Sequence, residues 1–247
     1  MRLFFIILLI PFIALNQFNN IDKNGKKQGV WKKMYPDGKS VLYEGQFKDD
    51  QPYGKFIYYT QEGKINAVIQ HLDITKSKAI FYHDNGQVMT EGQFFKKMKD
   101  SLWYNYSKYG ELSSIESFKN NKLNGLKIVF YLEGQQDDKP KILRKENYVD
   151  SLLHGAYETF YSDGKLKQKG AYTFGVPIGT WEDFSIKNKV VKKYTYKNGV
   201  LNGWIYQYDD QGKILNKRFF KNGVLLKAAE LDAYLEECSK KGIDPEN

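Results

Sequence analysis

One frame recurs eight times along this chain of 247 residues: Gly, any residue, an aromatic, two residues, a second aromatic, three residues, Gly. Gly29 opens GVWKKMYPDGK, Gly54 opens GKFIYYTQEGK, Gly125 opens GLKIVFYLEGQ, Gly155 opens GAYETFYSDGK and Gly203 opens GWIYQYDDQGK. Gly179 opens GTWEDFSIKNK, with Asn188 at the closing position. Ser77 and Ser101 replace the opening Gly in SKAIFYHDNGQ and SLWYNYSKYGE. Successive starts lie 25, 23, 24, 24, 30, 24 and 24 residues apart. A fixed period of this kind makes each unit one supersecondary element that packs on its neighbours, and it excludes folds that ignore the period. The excess of the fifth unit is expected in the polar stretch Gln135–Pro140, as a longer surface loop.

Each unit predicts a β-hairpin. Its first strand is rich in Tyr, Phe, Trp, Ile and Val, which suit a pleated, half-buried surface. Asp37-Gly38, Asn85-Gly86 and Asp163-Gly164 follow as turn dipeptides, because Gly accepts φ > 0 without a Cβ clash. A returning strand carries another aromatic at equal spacing: Phe94, Phe118, then Tyr148, Tyr172, Tyr196 and Phe220. A second turn, cleanest as KNGVLNG at 197–203, leads into the next unit. The third position (Trp31, Phe56, Trp103, Tyr157, Trp181) and the sixth (Tyr59, Tyr82, Tyr106, Phe130, Phe160) differ in parity. Either both faces carry apolar bands or a bulge lies between them. A single sheet has no opposite layer, so stacked aromatics must supply its core. The expected fold is all-β, an elongated antiparallel meander of about eight hairpins over residues 17–226.

The unit G-x-W-x-x-Y-x-x-x-G-K, followed by an aromatic and by Asn-Gly, resembles the MORN repeat. It is most similar to the bacterial MORN-repeat variant, found in strings in exported proteins and in chains labelled as YwqK-family antitoxins. The resemblance covers about 29–226. It implies a hairpin-repeat sheet with a scaffolding, protein-binding or lipid-associated role, and it offers no catalytic residues.

The two ends differ from the repeats. Residues 1–16 have the form of an export signal: Arg2, then an uncharged run from Leu3 to Leu15, too short to span a bilayer. An exported chain follows as the expectation, placed in the periplasm, the outer envelope or the medium, with an uncleaved tether as the alternative. Residues 227–247 form a helix and tail. Val224, Ala228, Leu231, Leu235 and Cys238 share a helical face, and Lys240-Lys241-Gly242 stops it. The expected role is a capping helix over the last open edge of the sheet, with Cys238 as a small buried hydrophobe.

The chain holds 38 Lys+Arg against 29 Asp+Glu, a formal charge of +9, yet only Arg2, Arg144 and Arg218 are Arg. A Lys-rich, Arg-poor surface reads as a solvated face rather than a nucleic-acid site. One Cys excludes a disulfide scaffold, and His71, His83 and His154 lack ligand spacing. No nucleophile elbow, P-loop or dinucleotide fingerprint is present, so neither an enzyme nor a cofactor is expected. The expected function is a non-enzymatic protein-binding or scaffolding module of the bacterial envelope. The alternatives are an antitoxin-like inhibitor of a cognate toxin and binding of anionic membrane or polysaccharide through Lys. Trp204, Tyr104 and Tyr58 are aromatics beyond the packing need and are the candidate contact residues, with the 135–140 loop beside them.

Overall fold

The computed structural model describes residues 18–132 and 139–246. Strands β1 (Asn20–Ile21), β2 (Lys27–Met34), β3 (Val41–Lys48), β4 (Gln51–Tyr59), β5 (Ile65–His71) and β6 (Lys76–Tyr82) begin the chain. Next come β7 (Val88–Phe95), β8 (Met98–Tyr106), β9 (Leu112–Lys119), β10 (Lys122–Phe130), β11 (Ile142–Val149), β12 (Leu152–Phe160) and β13 (Leu166–Thr173). Strands β14 (Val176–Phe184), β15 (Val190–Lys197), β16 (Val200–Leu201), β17 (Gly203–Tyr208), β18 (Ile214–Lys221) and β19 (Val224–Leu225) follow, then helix α1 (Ala228–Lys241). Sequence neighbours pair antiparallel throughout, except that β16 and β17 both pair with β15 rather than with each other. The result is an open meander of 19 strands containing the eight expected hairpins. The export segment lies outside the described residues, as does 135–138 of the fifth-unit loop; Lys139 and Pro140 are exposed.

The two kinds of turn are chemically distinct. Within hairpins, the Gly38 N–H donates to the Tyr35 carbonyl at 3.0 Å and the Tyr35 N–H to the Ser40 carbonyl at 2.8 Å. That is a type I turn closed by a left-handed residue, and Asn188 takes the closing place at φ 59°. Between hairpins, two consecutive residues take φ > 0, as in Asp49-Asp50 (51° and 66°) and Asn198-Gly199 (50° and 84°). These are the primed turns whose twist matches the flanking strands. Repeat three is entered differently, through the longer loop Leu72–Thr75.

The third and sixth positions face opposite sides, because the bulge of each hairpin puts its extra residue on the returning strand, as Leu42 does, and leaves the first strand unbroken. Each hairpin carries a bulge just before the sixth position, for instance between Lys33 and Met34. A wider bulge separates most hairpins, with the opening residue of the frame in it: Gly54 at φ 68°, Gly155 at 100°, Gly179 at 65°. This also distinguishes the two serines. β5 and β6 pair without a shift, so Ser77 needs no left-handed backbone, whereas Ser101 keeps the bulge at φ 61°.

The core lies on one face, built from third-position rings wedged between returning-strand rings. Trp103 is fully buried between Phe94 at 5.0 Å and Phe118 at 6.4 Å, both edge-on. Trp181 sits likewise between Tyr172 at 5.2 Å and Tyr196 at 5.8 Å. Phe56 sits between Phe47 and His71, so His71 fills the returning-strand aromatic position of its unit. Gly45, Gly92 and Gly170 lie directly beneath Phe56, Trp103 and Trp181, where a Cβ would fall 2.1–2.3 Å from the ring. The rings thus pack on bare backbone, which substitutes for the missing second layer.

Helix α1 is capped at Lys227, whose N–H donates to Glu230, and ends at Gly242 in the left-handed region. Val224 belongs to β19, not to the helix as its spacing suggested, because the Asn222-Gly223 turn first returns the chain to pair with Lys221. The helix covers a face, not the edge. Tyr234 packs on Phe219, which is 1 % exposed, and Cys238 is buried. Among the described residues no strand pairs with the outer edge of β18 along 214–218; Lys213, Lys217 and Arg218 blunt it. The opposite edge is closed by Asn19, whose side chain donates to the Lys32 carbonyl and accepts from the Lys32 N–H. No described helix is long and apolar enough to cross a membrane.

Candidate functional site: an apolar band and a polar trough

A regular meander turns each frame position into a row of side chains crossing the sheet. The fourth-position row lies on the face opposite the aromatic core. Register places Ile57, Val68, Ile80, Glu91, Tyr104, Ile115 and Ile128 side by side from β4 to β10. All are half-exposed, and no second layer lies over them. From β11 onward the same row becomes Lys145, Glu158, Lys169, Glu182 and Lys193. Lys169 and Glu182 pair at 2.8 Å. This alternation is where part of the Lys excess is matched.

The fifth-position row lies on the aromatic face. It begins with Lys33 on the edge strand β2 and continues through Tyr43, Tyr58, Ala67 and Phe81. It then turns polar: Thr90, Asn105, Ser114 and, after Val129, Arg144, Thr159, Gln168, Asp183, Lys192, Gln207 and Asn216. Gln168 Nε2 donates to Asp183 Oδ1 at 2.9 Å and to the Tyr194 hydroxyl at 3.2 Å. Burial, then the charge of Asp183, holds the Tyr194 hydroxyl well above its ordinary pKa. A groove of about 450 Å³ opens along Arg144, Thr159, Gln168 and Asp183, beside Tyr161 and Lys167. A second, of about 230 Å³, continues along Lys192, Gln207 and Asn216. Together they form a trough from β11 to β18.

Between the two aromatic blocks the third-position row is itself charged. Lys127 replaces an aromatic and meets Glu116 at 2.8 Å. Its register neighbour Glu146 is 5 % exposed, with Arg144 Nε at 2.9 Å and the Tyr148 hydroxyl donating at 3.2 Å. Burial, then the charge of Glu146, pushes Tyr148 up to about 12.

The three sequence candidates do not converge. Tyr104 stands in the apolar band. Tyr58 is on the other face, against Tyr43 at 5.6 Å and Phe56 at 6.4 Å. Trp204 packs edge-on against Phe219 at 5.1 Å, beside the helix, with the Lys217 ammonium 4.4 Å from its ring. The polar row escaped sequence reasoning, although its signal was present. The fifth frame residues run Lys33, Tyr58, Phe81, Asn105, Val129, Thr159, Asp183 and Gln207, a drift from aromatic to polar from the second repeat onward.

No family model and no curated protein matches this sequence. Among solved structures, it is similar to an S. aureus TarM mutant in complex with fondaparinux, α-GlcNAc-glycerol and UDP. The identity is 17 %, over 56 % of this chain and 21 % of that one, with a TM-score of 0.23. It is also similar to the Photorhabdus luminescens Tc holotoxin pore, at 11 % identity over 83 % of this chain and 12 % of that one, with a TM-score of 0.20. Neither score is that of a shared fold.

Proposed function

We propose that this protein is a non-enzymatic binding module, an exported repeat sheet that holds a protein partner across the apolar band of β4–β10. The observation that carries this reading is the row Ile57, Val68, Ile80, Tyr104, Ile115 and Ile128, interrupted by Glu91 and half-exposed on a face with no layer over these strands. An exposed apolar band of this kind marks an interaction site. The resemblance to bacterial MORN repeats points the same way, toward a scaffold.

The test places a photo-cross-linking side chain at position 104 of the full chain in bacterial envelope fractions. One adduct of defined mass is expected, lost when Ile115→Lys is added and absent when the cross-linker stands at position 169 in the charged part of the row. Folded protein that yields no adduct, or an adduct indifferent to Ile115→Lys, refutes the reading.

A further inference from the structure

Part of the polar trough on the aromatic face is bonded within the protein, Gln168 to Asp183 and Tyr194 and Arg144 to Glu146, yet packing does not require polar groups along this row. After Lys33 on the edge strand β2, the first hairpins fill the same row with Tyr43, Tyr58, Ala67 and Phe81, so the fold accepts apolar residues there. From β11 to β18 the row instead presents a guanidinium, a hydroxyl, an amide, a carboxylate, an ammonium and two further amides. Such groups make directional hydrogen bonds and gain little from facing one another in water. Both Arg residues of the described chain line this one trough, Arg144 in the larger groove and Arg218 in the smaller. Lys167 and Lys192 join them, against the single carboxylate of Asp183 among the groove-lining residues.

We infer that the trough is a binding site for an extended acidic polysaccharide, a carboxylate-bearing glycan lying across strands β11 to β18. Three features select this class. Arg218, Lys167 and Lys192 match a polyanion beside Arg144, whose Nε is held by Glu146, and the Arg218 fork suits a carboxylate, which it can meet bidentately. The floor of Thr159, Gln168, Asp183, Gln207 and Asn216 suits a ligand dense in hydroxyls. Asp183 in particular accepts hydrogen bonds and donates none when ionised, so it suits a ligand with hydroxyl donors, which a phosphodiester backbone lacks. Tyr161 offers half-buried ring surface at the wall for the apolar face of a sugar ring.

The dimensions also agree. Arg144 and Arg218 stand six strand spacings apart, about 29 Å at 4.8 Å per strand. One hairpin advances the row by two spacings, about 9.6 Å, close to the length of a two-sugar unit in an extended chain. The repeat of the protein and the repeat of such a ligand then run in step. This site lies on the opposite face from the apolar band, so either proposal can fail alone.

Isothermal titration of the full folded chain with polygalacturonate oligomers tests the inference, with dextran, oligo-dT and polyglutamate titrated alongside. Binding to polygalacturonate is expected, and the other three should bind at least about tenfold more weakly. Lys192→Gln and Arg218→Gln should each weaken binding about tenfold, the loss of one charge-assisted hydrogen bond. Lys193→Gln removes the same charge one residue away on the other face and should change little. Asp183→Asn separates recognition from attraction. It makes the trough more positive, yet should weaken polygalacturonate and strengthen oligo-dT. No binding to polygalacturonate overturns the inference. So does equal binding to oligo-dT or polyglutamate, or an equal loss from Lys193→Gln, since each would reduce the site to net charge. Circular dichroism and urea midpoints of every variant confirm that the sheet is intact. If Arg218→Gln unfolds the last hairpin, Lys192→Gln against Lys193→Gln alone decides.

Discussion

Gly92→Ala tests the packing logic most directly. Gly92 has ordinary extended backbone, so a β-carbon there meets no conformational penalty. On sequence propensity alone the change would stabilise by about 0.4–1 kcal/mol, by restricting the unfolded chain. The structure reverses the sign. The new Cβ would lie 2.3 Å from Trp103 Cδ2 and 2.5 Å from Cε2, where ordinary carbon contacts need about 3.5–4.0 Å. The indole must retreat by more than about 1 Å. It cannot do so freely, because Phe81, Phe94 and Phe118 hold it and none of it is exposed. Overpacking of this kind costs about 1–3 kcal/mol, and more where neighbours must also move. The expected net loss is about 2 kcal/mol, or about 4–8 °C in Tm for a chain of this size. Urea unfolding followed by tryptophan fluorescence measures it. A double-mutant cycle identifies its source: in a Trp103→Leu background the Gly92→Ala penalty should fall to near zero. A neutral or stabilising Gly92→Ala would refute the close-approach reading. So would a penalty that survives removal of the indole.

Three further outcomes are expected. Tyr106 and Tyr148 are both pushed up to about 12, each first by burial and then by a neighbouring glutamate, Glu91 and Glu146. A raised folded-state pKa means the folded chain holds the proton more tightly; this stabilisation is full below about pH 10 and is lost as pH rises toward 12. Urea midpoints should therefore fall between pH 10 and 12, with phenolate absorbance rising late; a flat midpoint across that window refutes the assignment. Phe174 opens a primed turn at φ 45° while 59 % exposed, in the place that Asn198 and Asn222 take elsewhere, so Phe174→Asn should stabilise by about 1 kcal/mol by calorimetry despite losing its contact with His154. Lys127→Met should destabilise by about 2–3 kcal/mol in urea, because it strands Glu116 beside the buried Glu146, and adding Glu116→Gln should recover part of the loss.

Most of the fold was legible because its signals are local and repeated. The Gly and aromatic anchors mark strands and turns within each 24-residue step, and eight copies remove the ambiguity of any one. Other features depend on which residues the register sets opposite each other, and one hairpin alone does not reveal them. Gly45, Gly92 and Gly170 have ordinary φ and serve as seats for rings from the next hairpin, a role that only the register reveals. His71 looked like a scattered histidine, and register shows it to be the ring that closes on Phe56. Trp204 exceeded the frame because its unit packs on the other face, under a helix from outside the repeat.

These cases share a cause. In a meander sheet a frame position specifies a row, and a row has a requirement that no single residue reveals. The third row must be aromatic wherever the face needs a core, so Lys127 and Glu146 mark where the core divides in two. The fourth row is free to face solvent, and its apolar stretch from Ile57 to Ile128 therefore needs a reason outside the chain. The fifth row is apolar from Tyr43 to Phe81 and keeps only Val129 after that, so its later polar run is a departure from what packing asks. Function in such a protein is to be sought where a row departs from its own packing requirement, and it is there that the band and the trough lie.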